Sequence, residues 1–130
     1  MRREVVTLKR NDTLSLADDL LHLNRIRHLP VLDAEGDRVV GIVSQRDMFR
    51  SALARVLGYG EHAQRRVLDA LAVKEVMTTD VVTTAPDTPL AEAARVMLER
   101  KIGALPVIEN GKLVGIITES DFVAWAATDA

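Results

Sequence analysis

The stretch Leu29-Pro30-Val31-Leu32, followed by Val39-Val40-Gly41-Ile42-Val43-Ser44, decides the fold because it occurs twice. The second copy reads Leu105-Pro106-Val107-Ile108 and then Leu113-Val114-Gly115-Ile116-Ile117-Thr118. The first blocks lie 76 residues apart and the second blocks 74, so the copies differ by two residues in the turn between the blocks. An internal repeat of this kind indicates two copies of one structural unit.

Each copy has the same predicted order: an extended segment, a helix, two strands joined by a hairpin, and a second helix. Asn110-Gly111 favours a tight hairpin because both residues tolerate positive φ. Thr88 before Pro89 suits the N-cap and first position of the next-to-last helix. That helix is predicted from an amphipathic stripe with a spacing of three and four residues. The stripe consists of Leu90, Ala93, Ala94, Met97 and Leu98.

The predicted boundaries place the first repeat at residues 1–58, a connecting helix and linker at 59–72, and the second repeat at 73–130. Gly58-Tyr59-Gly60 is expected to end the first repeat, and residues 61–71 form the extra helix. A unit of about 55 residues cannot bury both faces of its sheet alone. We therefore expect an α+β fold with α/β-type repeats, in which two β-α-β-β-α units pack sheet to sheet with pseudo-two-fold symmetry.

The composition restricts the classes of function. The chain is 48% hydrophobic, 28% charged and only 3% aromatic, which is typical of a globular protein with an aliphatic core. A net charge of −2 gives no support for a nucleic-acid partner. No cysteine is present, which excludes thiolate metal sites and a cysteine nucleophile. With no apolar run of membrane-spanning length, we expect a cytoplasmic protein without a membrane partner.

The order of elements, the Leu-Pro-Val opening of the first hairpin strand and the Gly-x-x-Ser/Thr-x-x-Asp ending of each hairpin resemble the cystathionine-β-synthase (CBS) domain family. The resemblance covers almost the whole chain. CBS pairs, called Bateman modules, stand alone or regulate attached enzymes, transporters and channels. They bind AMP, ADP, ATP or S-adenosylmethionine in clefts between the two copies, and they often form homodimers. The resemblance implies a stand-alone regulatory module with an unidentified target and no required cofactor.

One part of the family pattern is shortened. The second copy is preceded by Val73-Lys74-Glu75-Val76-Met77-Thr78, which resembles the usual lead-in segment. The first copy has only four residues before Val5. We therefore expect the cleft that depends on the first lead-in to be less complete.

The candidate ligand-binding groups lie in the motifs that end the two hairpins, Gly41 to Asp47 and Gly115 to Asp121. Each places a hydroxyl and a carboxylate three residues apart where a strand meets a helix. The carboxylate can accept hydrogen bonds from both ribose hydroxyls, and the free N–H groups of the helix N-terminus suit an anion. The same spacing is also a variant of the helix capping box, and the two interpretations are compatible.

The resemblance implies that Ile26 and Ile102 enclose the adenine ring and that Val6 and Val82 offer main-chain contacts to its edge. Taken alone, each isoleucine is also consistent with ordinary core packing. In the family, each cleft combines the adenine wall of one copy with the Ser/Thr-x-x-Asp motif of the other. Site one would comprise Val6, Ile26, Arg27, His28, Thr118 and Asp121, and site two Val82, Ile102, Gly103, Ala104, Ser44 and Asp47.

The two expected sites differ in charge. Arg27 and His28 stand where the second copy has Gly103 and Ala104, and they are candidate phosphate contacts in site one. Arg46 is the candidate in site two, because the planar guanidinium donates two parallel hydrogen bonds to phosphate. A solvated surface arginine is the alternative for each, so the number of phosphates stays open.

No catalytic pattern accompanies these motifs. The histidines His22, His28 and His62 lack metal-ligand spacing, and neither a Ser-His-Asp elbow nor a Walker loop is present. We therefore expect a protein that is not an enzyme. The alternative function is a structural homodimerisation module with no bound nucleotide. Its interface would be the apolar faces of the second helices, formed by Met48, Phe49, Ala52 and Leu53 and by Phe122, Val123, Trp125 and Ala126.

Overall fold

The computed structural model describes residues 3–56 and 61–129, with the backbone alone for residues 51–56, 61–64 and 129. Contacts divide the chain into two units, Val6–Val81 and Val82–Ala130 together with Met1–Val5. The predicted break at Gly58-Tyr59-Gly60 lies outside the described residues. Within the described ranges, no helix has the length and apolar character of a membrane span.

The first unit contains a three-stranded sheet and three α-helices. The sheet order is β1-β2-β3, with β1 parallel to β2 and β2 antiparallel to β3. The bounds are β1 (Leu8–Lys9), α1 (Leu14–Asn24), β2 (His28–Leu32), β3 (Val39–Ser44), α2 (Gln45–Val56) and α3 (Glu61–Ala70), followed by the 3₁₀ helix Val73–Glu75. The extra helix that the sequence predicts before the second repeat is therefore present as α3.

The second unit repeats the hairpin and its flanking helices. It contains α4 (Leu90–Arg100), β4 (Ala104–Glu109), β5 (Lys112–Thr118) and α5 (Glu119–Asp129). The turn residues Asn110 and Gly111 have φ of 54° and 80°, as a tight hairpin requires. In place of the predicted first strand, Thr84 forms only an isolated parallel bridge to Val107.

Each repeat builds its own core around the Leu-Pro-Val segment. Leu29, Val31 and Val43 have no exposed surface and pack with buried side chains of α1, α2 and α3. Leu105 and Val107 are equally buried, and they pack with α4 and β5. The mixed α and β architecture with two hairpin repeats agrees with the predicted fold class.

Helix α4 differs from its prediction in two ways. Ala93 and Met97 are buried, but Leu90 is 37% and Leu98 79% exposed, so the inward face is narrower than the five-residue stripe. Thr88 is not the N-cap. Pro89 holds that position with ψ of 141°, and the Thr88 hydroxyl accepts a hydrogen bond from the Ala85 N–H.

Helix α1 of the first repeat has the side-chain N-cap that α4 lacks. Thr13 precedes α1 at the position that Pro89 has before α4, and its hydroxyl accepts a hydrogen bond from the Leu16 N–H. A threonine side chain can satisfy a free N–H of the first turn, whereas proline has no acceptor to offer.

The segment that the sequence assigns to the lead-in of the second repeat packs within the first unit. The Val73 N–H donates to the Asp12 carbonyl at 2.8 Å. Further along, Ile42 and Thr78 exchange two backbone hydrogen bonds of 3.0 and 2.9 Å. Residues 73–78 therefore extend the structure of the first repeat as far as β3.

Helix α3 is tied to α1 by polar contacts. Arg65 donates two hydrogen bonds to the Asp19 carboxylate, and these hydrogen bonds lower the pKa of Asp19. The buried Ser15 hydroxyl donates to Asp69 on α3. Because Asp19 and Arg65 are both about half exposed, solvent screens this pair, and the apolar contacts of Leu68 and Leu71 dominate the packing of α3.

Replacement of Gly41 by alanine is expected to lower the free energy of unfolding by about 1–3 kcal/mol. A Cβ at this position would lie 2.5 Å from the sulfur and 2.9 Å from Cγ of Met77, so the whole Met77 side chain must shift. Chemical denaturation measures the loss. Combining Gly41→Ala with Met77→Ala removes the sulfur and Cγ contacts and leaves only the Met77 Cβ position at 3.1 Å. The clash should therefore be largely relieved, and strictly additive effects of the two changes would contradict this explanation.

Candidate functional site

The Ser-x-x-Asp motif of the first repeat forms a reciprocal cap where β3 meets α2. The Ser44 N–H donates to Oδ2 of Asp47 at 2.9 Å, and the Asp47 N–H donates to the Ser44 hydroxyl at 3.1 Å. Both residues are partly exposed. The capping interpretation of the motif is therefore confirmed for this repeat.

The corresponding motif of the second repeat is held in a related but unequal way. The Thr118 N–H donates to Oδ2 of Asp121 at 2.8 Å, as in the first repeat. The Thr118 hydroxyl, however, lies 2.8 Å from the Ser120 hydroxyl. Among the described residues, Oδ1 of Asp47 and of Asp121 accepts no hydrogen bond.

The segments predicted to form the adenine wall are residues 26–28 in the first repeat and 102–104 in the second. Each lies beside the Ser/Thr-x-x-Asp motif of its own repeat. His28 pairs with Ser44 across the β2–β3 ladder, and the Gln45 N–H donates to the Arg27 carbonyl at 2.9 Å. The second repeat has the same arrangement, because Ala104 pairs with Thr118 and the Glu119 N–H reaches the Gly103 carbonyl at 3.3 Å. In each unit, the strand pairing and one backbone hydrogen bond therefore hold the wall segment next to the motif of the same repeat.

The apolar residues predicted to contact adenine are half-buried against the cores of their own units. Val6 and Ile26 pack against the first core, and Val82 and Ile102 against the second. The contacts of these four residues with adenine stay predictions. The same holds for a cleft that combines the adenine wall of one repeat with the Ser/Thr-x-x-Asp motif of the other.

Two arginines stand at the first motif. Arg27 and Arg46 are exposed, and neither forms an ion pair with a residue in the described part of the chain. In the second repeat, Gly103 and Ser120 occupy the equivalent positions and carry no charge. The first repeat therefore has two arginines where the second has none, and the charge of each predicted cleft stays a prediction.

Sequence reasoning missed the roles of Gln45 and Glu119. Each is the first residue of a helix, and its N–H fastens the wall segment to the motif. The identity of these two residues could not predict this role, because the hydrogen bond is donated by the backbone N–H. Its formation depends on the register in which the two strands pair.

The second unit also has a cavity of about 430 Å³ that the sequence did not predict. It depends on the spacing between α4 and the backbone near Thr84, which only the fold determines. Its lining is Thr83, Thr84, Ala85, Thr88, Glu92, Val96, Leu105 and Ile108.

Comparisons with known proteins agree with this architecture. The chain is 31% identical over 125 residues to a CBS domain-containing protein of Dictyostelium discoideum, covering 95% of this chain and 85% of that protein. The CBS domain pair of protein MJ0100, in complex with 5′-methylthioadenosine and S-adenosyl-L-methionine, superposes with a TM-score of 0.83 at 26% identity, covering 100% of this chain and 94% of that one. Protein MJ1225 of Methanocaldococcus jannaschii is described as a candidate archaeal homologue of γ-AMPK. It superposes with a TM-score of 0.81 at 30% identity, covering 97% of this chain and 45% of that one.

Other relatives are longer than this chain. It spans 31% and 42% of two uncharacterized proteins of Methanocaldococcus jannaschii. It also spans 22% of the inosine-5′-monophosphate dehydrogenase of Korarchaeum cryptofilum, with 33% identity over 120 residues and 92% of this chain covered. The matched unit thus occurs as a minor part of larger proteins.

The CBS domain family matches residues 1–54 and 73–128, which contain both hairpins and both Ser/Thr-x-x-Asp motifs. Each range contains one of the two hairpins that the fold builds in a similar way. The chain therefore belongs to the CBS domain family and carries two CBS domains.

Proposed function

We propose that the chain is a regulatory module that binds an adenosine-containing ligand, AMP, ADP, ATP or S-adenosylmethionine, and catalyses no reaction. The observation that carries the proposal is the duplicated motif, in which Asp47 and Asp121 each keep one carboxylate oxygen beside the N-terminus of a helix. The neighbouring CBS domain pair that holds two adenosine compounds supports the same ligand class.

The chemistry of the motif suits a ribose. Two neighbouring hydroxyls need a strong acceptor, and an ionised carboxylate provides one whose hydrogen bonds are roughly twice as strong as neutral ones. The reciprocal cap holds the Asp47 side chain in place through its other oxygen, so ligand binding need not order it. Capping and ribose recognition therefore use different oxygens of one group.

A regulatory role without catalysis is supported by the relatives. The chain spans 22% of one dehydrogenase, so the part it shares with that enzyme is small. We propose that the module acts on a target protein that is not identified. A cytoplasmic location fits an adenosine ligand and the absence of cysteine.

Calorimetric titration of the purified protein with AMP, ADP, ATP and S-adenosylmethionine is expected to show saturable binding of at least one of them. Binding should also raise the melting temperature, because a ligand that binds only the folded state stabilises it by RT ln(1 + [L]/Kd). Mass spectrometry before and after incubation should show the ligand unchanged. Folded protein that binds none of the four compounds would contradict the proposal.

A structural homodimerisation module is the second candidate. Phe49, Val123 and Trp125 are 65%, 70% and 55% exposed, and exposed aromatic residues favour an interface. The apolar faces that the sequence assigns to this interface are partly internal, because Met48 belongs to the first core and Phe122 packs against the second. The side chains of Ala52, Leu53 and His62 lie outside the described part of the chain. A dimer by sedimentation that binds none of the four ligands would favour this function.

A further inference from the structure

We infer that the cavity between α4 and the backbone near Thr84 is a second ligand site, and that it binds a small organic amine with an apolar group. This cavity, called the α4 cavity below, has a volume of about 430 Å³ and is lined only by residues of the second unit. Pockets for small molecules have volumes of roughly 300–1,000 Å³, so its size suits such a ligand. Its lining shares no residue with the Ser/Thr-x-x-Asp motifs.

One wall of the α4 cavity is a threonine where the first repeat has a buried leucine. Thr84 forms a parallel bridge to Val107. In the first repeat, Leu8 pairs in parallel with Val31, which lies 76 residues before Val107. Leu8 is 1% exposed and belongs to the first core, whereas Thr84 is only half-buried. The shorter and more polar side chain therefore leaves room at this position of the second unit.

Helix α4 adds two further differences to the same space. Val96 lies at the position that Leu20 has in α1, and its side chain is one methylene shorter. Glu92 lies at the position of Leu16, so a carboxylate stands where the first repeat has an apolar group. The α4 cavity is therefore larger and more polar than the leucines of the first repeat would allow.

Glu92 gives the lining its charge, since the other lining residues are threonines and apolar residues. A glutamate at the third position of a helix commonly accepts a hydrogen bond from the N-cap N–H in a capping box. The N-cap of α4 is Pro89, which has no N–H to donate. Within the described part of the chain, Glu92 also forms no ion pair. A cationic ligand would supply the partner that the proline cannot.

The lining favours an organic cation over other ligand classes. The negative charge of Glu92 attracts cations and repels anions such as phosphate. A metal ion is not favoured, because the described ranges contain no group of three His, Cys, Asp or Glu residues that could hold one. The hydroxyls of Thr83, Thr84 and Thr88 are able to accept hydrogen bonds from an ammonium group.

The remaining lining suits the carbon skeleton of the amine. Val96 and Ile108 are half-buried, and they give the α4 cavity an apolar wall. Burial of an apolar group against this wall is favourable, while the charged end of the ligand stays near the exposed Glu92. A ligand with an ammonium group at one end and a hydrocarbon group at the other matches both parts.

The test is an NMR titration of isotope-labelled protein with phenethylamine. We expect saturable changes in the amide chemical shifts of Thr84, Glu92 and Val96. Phenethyl alcohol has the same skeleton with a neutral hydroxyl in place of the ammonium group. It should bind about 5- to 10-fold more weakly, because a charge-assisted contact is lost at a solvent-exposed carboxylate.

Two variants separate the charge from the space. Glu92→Gln should remove the preference, so that the amine and the alcohol bind equally. Thr84→Leu introduces the residue of the first repeat and should abolish binding of both probes by filling the α4 cavity. The matched control is Glu99→Gln, which removes an exposed carboxylate of the same helix outside the lining and should keep the preference. Circular dichroism verifies that each variant is folded.

The inference is overturned if phenethylamine produces no saturable shift changes, or if these changes centre on the Ser/Thr-x-x-Asp motifs. It is also overturned if Glu92→Gln and Glu99→Gln reduce the preference for the amine equally. Because neither probe contains adenosine, the titrations with the four adenosine compounds remain an independent test of the proposed function.

Discussion

Replacement of Leu105 by alanine is expected to lower the free energy of unfolding by about 2–5 kcal/mol. Leu105 has no exposed surface and lies in the second core, between β5 and α4. Truncation removes three buried carbon atoms and leaves a cavity whose walls are strands and a helix that cannot close fully. Domains of this size have a total stability of only about 5–15 kcal/mol, so the loss is a large fraction of it.

Urea denaturation followed by circular dichroism measures this loss. The matched control is Leu23→Ala on α1, because Leu23 is 81% exposed and its truncation should change stability by no more than about 0.5 kcal/mol. Leu29→Ala should resemble Leu105→Ala, since Leu29 occupies the same position in the first repeat with no exposed surface. A loss below 1 kcal/mol for Leu105→Ala would show that this segment is not the centre of its core.

Replacement of Asp47 by alanine is expected to weaken binding of the nucleotide by about 10- to 100-fold, because a charge-assisted hydrogen bond contributes about 1.5–3 kcal/mol. It should also destabilise the protein by about 0.5–2 kcal/mol, since the Ser44 N–H loses its acceptor. Calorimetry measures the first effect and thermal denaturation the second.

The Asp47→Asn variant separates the two roles of this side chain. An amide oxygen can still accept from the Ser44 N–H, so the stability should stay within about 0.5 kcal/mol of the wild type. Affinity should still fall about 10-fold, because the negative charge is gone. Asp87→Asn is the control, as it removes one exposed carboxylate elsewhere. If Asp47→Asn binds nucleotide as tightly as Asp87→Asn does, the motif is a helix cap and nothing more.

Much of the local structure could be predicted because it depends on short-range signals. The hairpin at Asn110-Gly111 follows from the ease with which both residues adopt positive φ. The buried strands follow from the Leu-Pro-Val blocks, and the repeat follows from their recurrence. The Ser-x-x-Asp cap joins residues three positions apart, so its geometry is largely contained in the spacing.

Several local predictions failed where competing interactions decide. Thr88 is a good N-cap residue, but the extended Pro89 takes the cap position and the Thr88 hydroxyl turns to Ala85. Leu98 fits the apolar stripe of α4, yet it is 79% exposed, because the core covers a narrower strip of the helix than the pattern suggests. Residues 73–78 fall within the second CBS domain range, as the sequence indicates, and what the sequence did not predict is that their backbone hydrogen bonds run to the first unit.

The sequence by itself determined that the chain consists of two like units, with a hydroxyl and a carboxylate at each strand-to-helix junction. These properties depend on spacing along the chain, which the sequence contains directly. Only the tertiary structure decided which segments share a junction. The β2–β3 register brings the Arg27 carbonyl next to Gln45 at the start of α2, although the two residues are 18 positions apart in the chain. Such proximity depends on how strands pair, and strand pairing is a long-range property that no local pattern specifies.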